Sequence, residues 1–161
     1  MMRIDRRSFL GATAAAGVFA IAGFSARAPA AMKFEVTKTP EEWRRLLGPQ
    51  RYAILREAAT EPAWSSPLLN EHRRGIFVCA GCTLPLFSSI TKFESGTGWP
   101  SFYAALAHAI ITRPDHSLGM ERTEVLCRRC GGHLGHVFDD GPRPTGLRYC
   151  MNGLALQFRP A

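Results

Sequence analysis

Two cysteine pairs with the spacing Cys-x-x-Cys constrain this 161-residue chain more than any other feature. The pairs are Cys79 with Cys82 and Cys127 with Cys130, and 44 residues separate them. A two-residue spacer lets both sulfurs of a turn face one metal ion at a Zn–S distance of about 2.3 Å, and two such turns complete a tetrahedron. Four thiolates leave no open coordination position, so the pattern predicts one structural Zn²⁺ ion that joins two distant parts of the fold.

The same four cysteines are compatible with other interpretations. A disulfide framework or a thioredoxin-like redox pair is compatible with an exported protein, and iron fits the same tetrahedral sulfur site. The presence of two matched pairs favours a metal over the redox interpretations.

The start of the chain has the layout of an export signal. Residues 1–31 contain a basic start, an uncharged Ala/Gly-rich run over 9–26 and a small-residue site that ends at Ala30. The segment 5–11 resembles a twin-arginine signal, which exports folded proteins. The apolar run is too weakly hydrophobic for a membrane span of ~20 apolar residues. We expect cleavage after Ala30 and a periplasmic or otherwise exported domain, with an uncleaved membrane anchor as the alternative.

The segment after this signal, residues 32–161, predicts one small domain that is mainly β. Hydrophobic residues make up 46% of the chain, which suffices for one core and leaves no room for a second full domain. We expect a short helix capped by Thr39, with Pro40 at its first position and an end at 48–49, and a second helix over 50–59.

Short β-prone segments bounded by turn-forming residues follow the two helices. Segment 104–111 fits a helix or a strand. Strands are predicted at 75–79, 125–127, 135–138, 147–150 and 154–158.

The charge of the chain argues against nucleic-acid binding. The formal net charge is +7, and four arginines with one aspartate in residues 1–30 account for +3 of it. The remaining +4 falls to about +2 when four thiolates bind Zn²⁺. Such a small and scattered excess lacks the clustered basic face of a nucleic-acid-binding protein.

The fifth cysteine, Cys150, has no partner once the other four bind a metal. An inert buried thiol is the ordinary interpretation of such a residue. In a strand, however, Arg148, Cys150 and Asn152 project from the same face. A cationic and an amide neighbour lower the pKa of a thiol and raise its nucleophilic fraction, so we expect Cys150 to be a reactive thiolate.

Two further segments carry side chains suited to chemistry. His133 and His136 lie in a glycine-rich stretch and either imidazole can donate a proton near pH 7, whereas extra zinc ligation or surface exposure is the alternative. Trp99 lies between glycine and proline, where it is either ordinary core or the wall of a pocket for a methyl group.

Taken together, these motifs resemble the peptide-methionine (R)-S-oxide reductases, the B-type methionine sulfoxide reductases. The match runs from about Thr39 to Phe158. It is carried by the two Cys-x-x-Cys pairs and by segments 92–102, 132–142 and 148–153.

The resemblance implies a fold and a set of site residues. It implies an antiparallel β-sheet core, tent-like or barrel-like, with the structural zinc distal to the active site. The nucleophile is implied to be Cys150, with the histidines as acid and orienting groups. The implied catalytic residues are Cys150, His133, His136, Asn152 and Arg148, and the implied substrate-binding residues are Trp99 and Phe102.

The resemblance also implies a reaction. The Cys150 thiolate attacks the sulfoxide sulfur of oxidised methionine while an imidazolium protonates the oxygen, because an oxide leaves poorly unless its charge is neutralised. Methionine departs and Cys150 is left as a sulfenic acid, which a thiol must reduce. The substrates implied are oxidised proteins and peptides.

One residue departs from the pattern of many relatives. Thr97 stands where they carry a resolving cysteine, so no intramolecular disulfide forms from that position. We therefore expect a thioredoxin-like or small-thiol reductant, and we expect a monomer.

Two other functions remain open from the sequence. A zinc-stabilised binding module would hold Cys150 as a packed, inert thiol, and alkylation kinetics separate that function from an enzyme. Another thiol oxidoreductase, such as a peroxidase or disulfide exchanger, would use the same thiol on a different substrate.

Overall fold

The described part of the chain, residues 32–161 of a computed structural model, begins with helix α1, Pro40–Glu57. The Thr39 hydroxyl accepts a hydrogen bond from the Glu42 N–H at 3.2 Å, and the Glu42 carboxylate accepts one from the Thr39 N–H at 2.8 Å. This capping box confirms the predicted start. At Gly48 the backbone leaves helical geometry, with φ 68° and ψ 172°, so α1 consists of two helical segments as expected.

The predicted signal segment, residues 1–31, lies outside the described residues. Within 32–161, the one α-helix does not combine the length and the apolar character that a bilayer crossing requires.

Nine strands follow α1 in the described chain and form two sheets. One sheet has three strands in the order β2-β1-β9, and the other has six in the order β3-β4-β8-β7-β6-β5. Each strand pairing within residues 32–161 is antiparallel, in agreement with the expected fold class. The strands are β1 (Gly75–Cys79), β2 (Pro85–Ser88), β3 (Lys92–Phe93), β4 (Ser101–Phe102), β5 (Ile110–Asp115), β6 (Arg122–Cys127), β7 (His133–Phe138), β8 (Arg148–Met151) and β9 (Leu156–Pro160).

Five of the nine strands, β1, β6, β7, β8 and β9, coincide with predicted strands. The last of them begins later than predicted because Gly153–Ala155 forms a turn of 3₁₀ helix. The ambiguous segment 104–111 is mostly loop, and β5 begins only at Ile110.

One hydrophobic core lies between the two sheets and α1. The ring of Phe102 on β4 stacks on Phe87 of β2 at 4.4 Å between centroids and meets Phe77 of β1 edge-on at 4.9 Å. All three rings are fully buried. Burial of each such side chain contributes about 2 to 3 kcal/mol, so this aromatic cluster holds the small sheet against the large one.

Candidate active site and metal centre

The four cysteines of the two Cys-x-x-Cys pairs come together at one point. Their sulfurs all lie within 4.8 Å of one another. The Sγ atoms of Cys79 and Cys130 are 3.7 Å apart, and those of Cys82 and Cys127 are 3.4 Å apart. A tetrahedral ion with Zn–S bonds of about 2.3 Å separates its sulfurs by roughly 3.8 Å. The four thiols therefore fit a tetrahedral metal ion, and the two pairs come together as one candidate metal centre, as predicted.

Helix α1 packs against this metal centre. The Arg56 guanidinium donates a hydrogen bond to the Cys130 carbonyl at 2.9 Å and lies over the Trp43 ring at 4.9 Å. Trp43 is itself buried and approaches Gly81 inside the first cysteine pair. The metal centre therefore joins α1 to the ends of β1 and β6.

The fifth cysteine lies in the middle of the six-stranded sheet. Cys150 on β8 is directly opposite His136 on β7 and Ser101 on β4 in the strand register. Residues opposite each other on antiparallel strands project their side chains from one face with Cβ atoms about 5 Å apart. The Thr97 hydroxyl lies 3.8 Å from the Cys150 sulfur. One thiol, one imidazole and two hydroxyls thus share one face of the sheet.

The protonation of Cys150 differs from the prediction. Burial raises the pKa of the Cys150 thiol, while the Thr97 hydroxyl and the Arg148 guanidinium act in the opposite direction and only partly offset it. The predicted lowering of this pKa is therefore wrong in its net sign, because desolvation of the thiolate outweighs its polar neighbours. This shift favours the protonated thiol at neutral pH.

A small cavity of about 130 Å³ opens onto the Cys150 thiol. Trp99 and Phe138 give it aromatic walls, and His136 and Asn152 give it polar ones. A pocket with apolar walls and a few convergent polar groups suits a small, partly polar group of a larger ligand.

Asn152 reaches this pocket by a route other than the predicted one. Strand β8 ends at Met151, so Asn152 lies beyond the strand and its side chain is not set by strand alternation. Its amide oxygen accepts a hydrogen bond from the Glu61 N–H at 3.0 Å, and its amide nitrogen donates to the Leu134 carbonyl at 3.3 Å. The buried Asn152 is thus anchored on both sides.

His136 is held by a carboxylate and an arginine. Its Nε2 lies 2.8 Å from an Asp115 oxygen, and the same oxygen accepts a hydrogen bond from Arg122 at 2.7 Å. Hydrogen bonds from Ser117, and then from His136 and Arg122, lower the pKa of Asp115, so that this carboxyl is ionised. An ionised partner at Nε2 fixes the orientation of the ring.

His133 also pairs with a carboxylate, but its side chain faces a different cavity. Its Nδ1 lies 2.7 Å from Glu124, which also pairs with Arg113. Burial lowers the pKa of His133, which is neutral at pH 7. His133 lines a separate cavity of about 340 Å³ beside the Cys150 pocket, and its ring centroid is 5.5 Å from that of His136.

The Arg148 guanidinium is shared between the thiol and a carboxylate. It donates two hydrogen bonds to Asp140, at 2.8 and 2.7 Å, and lies over the Phe138 ring at 4.4 Å. This two-bond pairing fixes the guanidinium on the face of the strand that also carries Cys150. The alternation of side chains along the strand predicted this placement.

Phe102, expected on the substrate side, requires a correction. On β4, Ser101 faces Cys150 and Phe102 faces the core, where no part of its ring is exposed. Because side chains alternate along a strand, Phe102 and its neighbour Ser101 cannot both face the pocket.

The carboxylates that support the site were missed in the sequence. Asp115 and Glu124 each lie two residues from an arginine in a β-prone segment, and that alternation was a usable signal for a shared face. Glu61 lies in a loop rich in Pro and Ser and had no comparable local signal.

Comparisons with known proteins find one family. The model of the SelR domain family matches residues 47–160. A protein of Leptospira interrogans named peptide methionine sulfoxide reductase MsrB is 54% identical over 129 residues, which cover 80% of this chain and 98% of that protein. Proteins of the same name from Thiobacillus denitrificans and Methanosarcina barkeri are 55% and 50% identical, over 80% and 77% of this chain and 98% and 88% of their own lengths.

Proposed function

This chain belongs to the SelR-domain family of peptide methionine sulfoxide reductases, and on that basis we propose that it reduces the R epimer of methionine sulfoxide in oxidised proteins and peptides. The observation that carries the proposal is the presence of Cys150, His136 and Trp99 around one small pocket. A thiol supplies electrons, an imidazole moves a proton, and an aromatic face accepts a methyl group. A binding module without chemistry makes no use of this combination.

The oxygen transfer balances within the substrate and one thiol. The Cys150 sulfur attacks the sulfoxide sulfur, the S–O bond of the substrate breaks, and the oxygen ends on Cys150 as a sulfenic acid. The methionine sulfur is reduced by two electrons and the Cys150 sulfur is oxidised by two. The proton count does not change, since the thiol loses one proton and the sulfenic acid carries one.

The raised pKa of Cys150 is compatible with this reaction. The resting thiol brings to the site the proton that the sulfoxide oxygen needs. His136, opposite Cys150, accepts that proton and delivers it to the oxygen as the S–O bond weakens. We assign the transfer to His136 because His133 does not line the pocket and burial keeps it neutral.

Recycling of the sulfenic acid requires a thiol from outside the chain. Thr97 occupies the place of the resolving cysteine of many relatives, and its hydroxyl is 3.8 Å from the Cys150 sulfur. The other four cysteines form the metal centre. We propose a thioredoxin-like protein or a small thiol as the reductant. The monomeric state stays a prediction.

The metal centre is proposed to hold one structural Zn²⁺. The four residues that would hold it are cysteines, and thiolate ligands with tetrahedral spacing suit zinc. With four protein ligands, such an ion would stabilise the fold and leave the chemistry to Cys150.

Export through the twin-arginine route is proposed from the sequence of residues 1–31 alone. The pair Arg6-Arg7 and the small-residue site at Ala30 support it. A metal centre filled before translocation is protected from oxidation in the periplasm.

The proposed activity is tested with a peptide that contains both sulfoxide epimers. The purified protein and dithiothreitol are incubated with it, and mass spectrometry with chiral separation follows each epimer. We expect loss of the R epimer only, and no loss with Cys150→Ser. Reduction of the S epimer, or full activity in Cys150→Ser, would contradict the proposal.

A further inference from the structure

Glu61, whose carboxylate is buried, lies in the loop after α1 and contacts two residues of the active-site pocket. Glu61 is 3% exposed, and within residues 32–161 it forms no ion pair. An ionised carboxylate without a cation is costly to bury unless hydrogen bonds replace its water. Its contacts therefore indicate what this residue does.

Both oxygens of the Glu61 side chain accept hydrogen bonds from the backbone that follows the nucleophile. The Gly153 N–H donates at 2.5 Å and the Leu154 N–H at 2.9 Å. These two groups begin the 3₁₀ turn Gly153–Ala155, directly after Asn152. Each N–H donor is bonded to its own oxygen, and an amide in this position would present a second donor to one of them.

The backbone of the same residue holds two walls of the pocket. The Glu61 N–H donates to the amide oxygen of Asn152 at 3.0 Å, and the Glu61 carbonyl accepts a hydrogen bond from the Trp99 indole N–H at 3.1 Å. Asn152 and Trp99 both line the Cys150 pocket. One residue thus connects the polar wall and the aromatic wall.

Close packing fixes the loop of Glu61 against the 3₁₀ turn. A methyl group added to Gly153 would collide with the side chain of Ser66, which is itself buried in the same loop. Glycine is therefore required here for the loop and the turn to approach each other.

We propose that Glu61 is a positioning residue, whose carboxylate fixes the loop that holds Trp99 and Asn152 around the sulfoxide. The proposal rests on the proposed function, since it assigns a purpose to the walls of that site. Glu61 does not touch the nucleophile, because Cys150 is placed by the pairing of β8 with β4 and β7. Loss of the carboxylate should therefore impair substrate positioning and leave the thiol intact.

The test is Glu61→Gln in the full-length protein. The amide keeps the size of the side chain but presents an NH₂ group to one of the two N–H donors. We expect kcat/KM for methionine R-sulfoxide to fall at least tenfold. We expect the rate of Cys150 alkylation by iodoacetamide to stay within twofold of the wild type, and the Trp99 indole N–H to lose its protection from hydrogen exchange in NMR spectra.

Controls separate positioning from general damage. Glu41→Gln changes an exposed glutamate in the first turn of α1 and should leave all three readouts unchanged. Glu61→Asp keeps two acceptors on a side chain about 1.5 Å shorter and should recover part of the activity; it replaces Glu61→Gln if the latter does not fold. In a double-mutant cycle with Trp99→Phe, the losses should not add, because both changes break one network.

Three results would overturn the proposal. The first is a kcat/KM of Glu61→Gln equal to that of the wild type. The second is an exchange rate of the Trp99 indole N–H that is the same in Glu61→Gln as in the wild type. The third is a fall in alkylation rate that matches the fall in kcat/KM, which indicates general unfolding. Absence of activity in the wild type would instead refute the proposed function, while the exchange measurement would still report on Glu61.

Discussion

At the scale of single residues, opposing effects of burial and of polar neighbours determine the pKa of the Cys150 thiol. Burial raises its pKa, and Arg148 and Thr97 pull in the other direction. Reactivity of the free protein therefore rises with pH through a pKa above that of an ordinary thiol, because only the thiolate attacks an alkylating reagent. The raised pKa keeps most of this thiol protonated in the free protein at neutral pH, which protects it from unproductive oxidation.

Removal of the positive charge of Arg148 should raise the pKa of the Cys150 thiol further. Because Arg148 lowers the pKa of Cys150, Arg148→Met should move the pH profile of alkylation to higher pH. At pH 7 we expect the alkylation rate to fall by roughly threefold or more, since the thiolate fraction falls. Iodoacetamide kinetics between pH 6 and 10 measure this. Arg148→Lys keeps the charge and should change the pH profile less. If Arg148→Met and the wild type have the same profile, Arg148 does not lower the pKa of Cys150.

Residue 97 should accept a resolving cysteine. The Thr97 hydroxyl is 3.8 Å from the Cys150 sulfur, close enough for a sulfur at that position to attack a sulfenic acid. In Thr97→Cys we expect a disulfide between residues 97 and 150 after one turnover without reductant, seen as a mass loss of about 2 Da by intact-protein mass spectrometry. Thr97→Ser should form none. A wild-type protein that itself joins Cys150 to a metal-centre cysteine during turnover would exclude recycling by an external thiol alone.

At the scale of elements, β7 and β8 together build the face proposed to be catalytic. Their register places His136 opposite Cys150, and Gly135 next to it leaves no room for a side chain against the β8 backbone at Cys150. The positions of His136 and Cys150 therefore depend on how closely these two strands approach each other.

Gly135→Ala should disturb this strand pair. Its methyl group would overlap the Cys150 carbonyl, so we expect the unfolding free energy to fall by about 1 to 3 kcal/mol and most activity to be lost. Urea denaturation and the sulfoxide assay measure the two effects. Gly119→Ala is the matched control, since Gly119 also has a positive φ but no atom within 4 Å of the added methyl. Equal losses in both variants would show that backbone conformation, and not the overlap, is responsible.

Elements whose start or end depends on neighbouring residues in the sequence were predictable. Elements that depend on contacts with distant parts of the chain were not. The cap at Thr39 and the break at Gly48 depend on residues within one turn, and the structure has both. Strands β3 and β4 have two residues each, and Pro85 and Pro114 obscure β2 and β5; these strands exist because neighbours pair with them. The same limit applies to Glu61, whose partners are about 40 and 90 residues away in the chain.

At the scale of the whole molecule, the metal centre connects the two sheets. Cys79 ends β1 of the three-stranded sheet and Cys127 ends β6 of the six-stranded sheet. An ion bound by both would hold the sheets over one core, together with the Phe77, Phe87 and Phe102 cluster. Metal binding and folding should therefore be coupled.

Removal of the metal should destabilise the molecule without touching the catalytic residues. With a strong chelator, or in Cys82→Ser, we expect loss of bound zinc and a fall in Tm of roughly 10 °C or more, because metal-binding energy is part of the folding energy. Elemental analysis and calorimetry measure both quantities. Cys150→Ser should keep the metal and the Tm. A Cys82→Ser variant that melts like the wild type would contradict a structural role.

The spacing of the four sulfurs also determines what happens to a copy that never receives its ion. Two pairs of thiols from different turns are in contact, Cys79 with Cys130 at 3.7 Å and Cys82 with Cys127 at 3.4 Å, so in an oxidising compartment we expect disulfides between the two turns. Such a copy would keep its two sheets joined but could not bind the ion, because its four thiols would be used up in disulfides. Whether the ion binds before the thiols are oxidised would then decide whether a molecule becomes a metalloprotein or a form with two disulfides that cannot bind the metal.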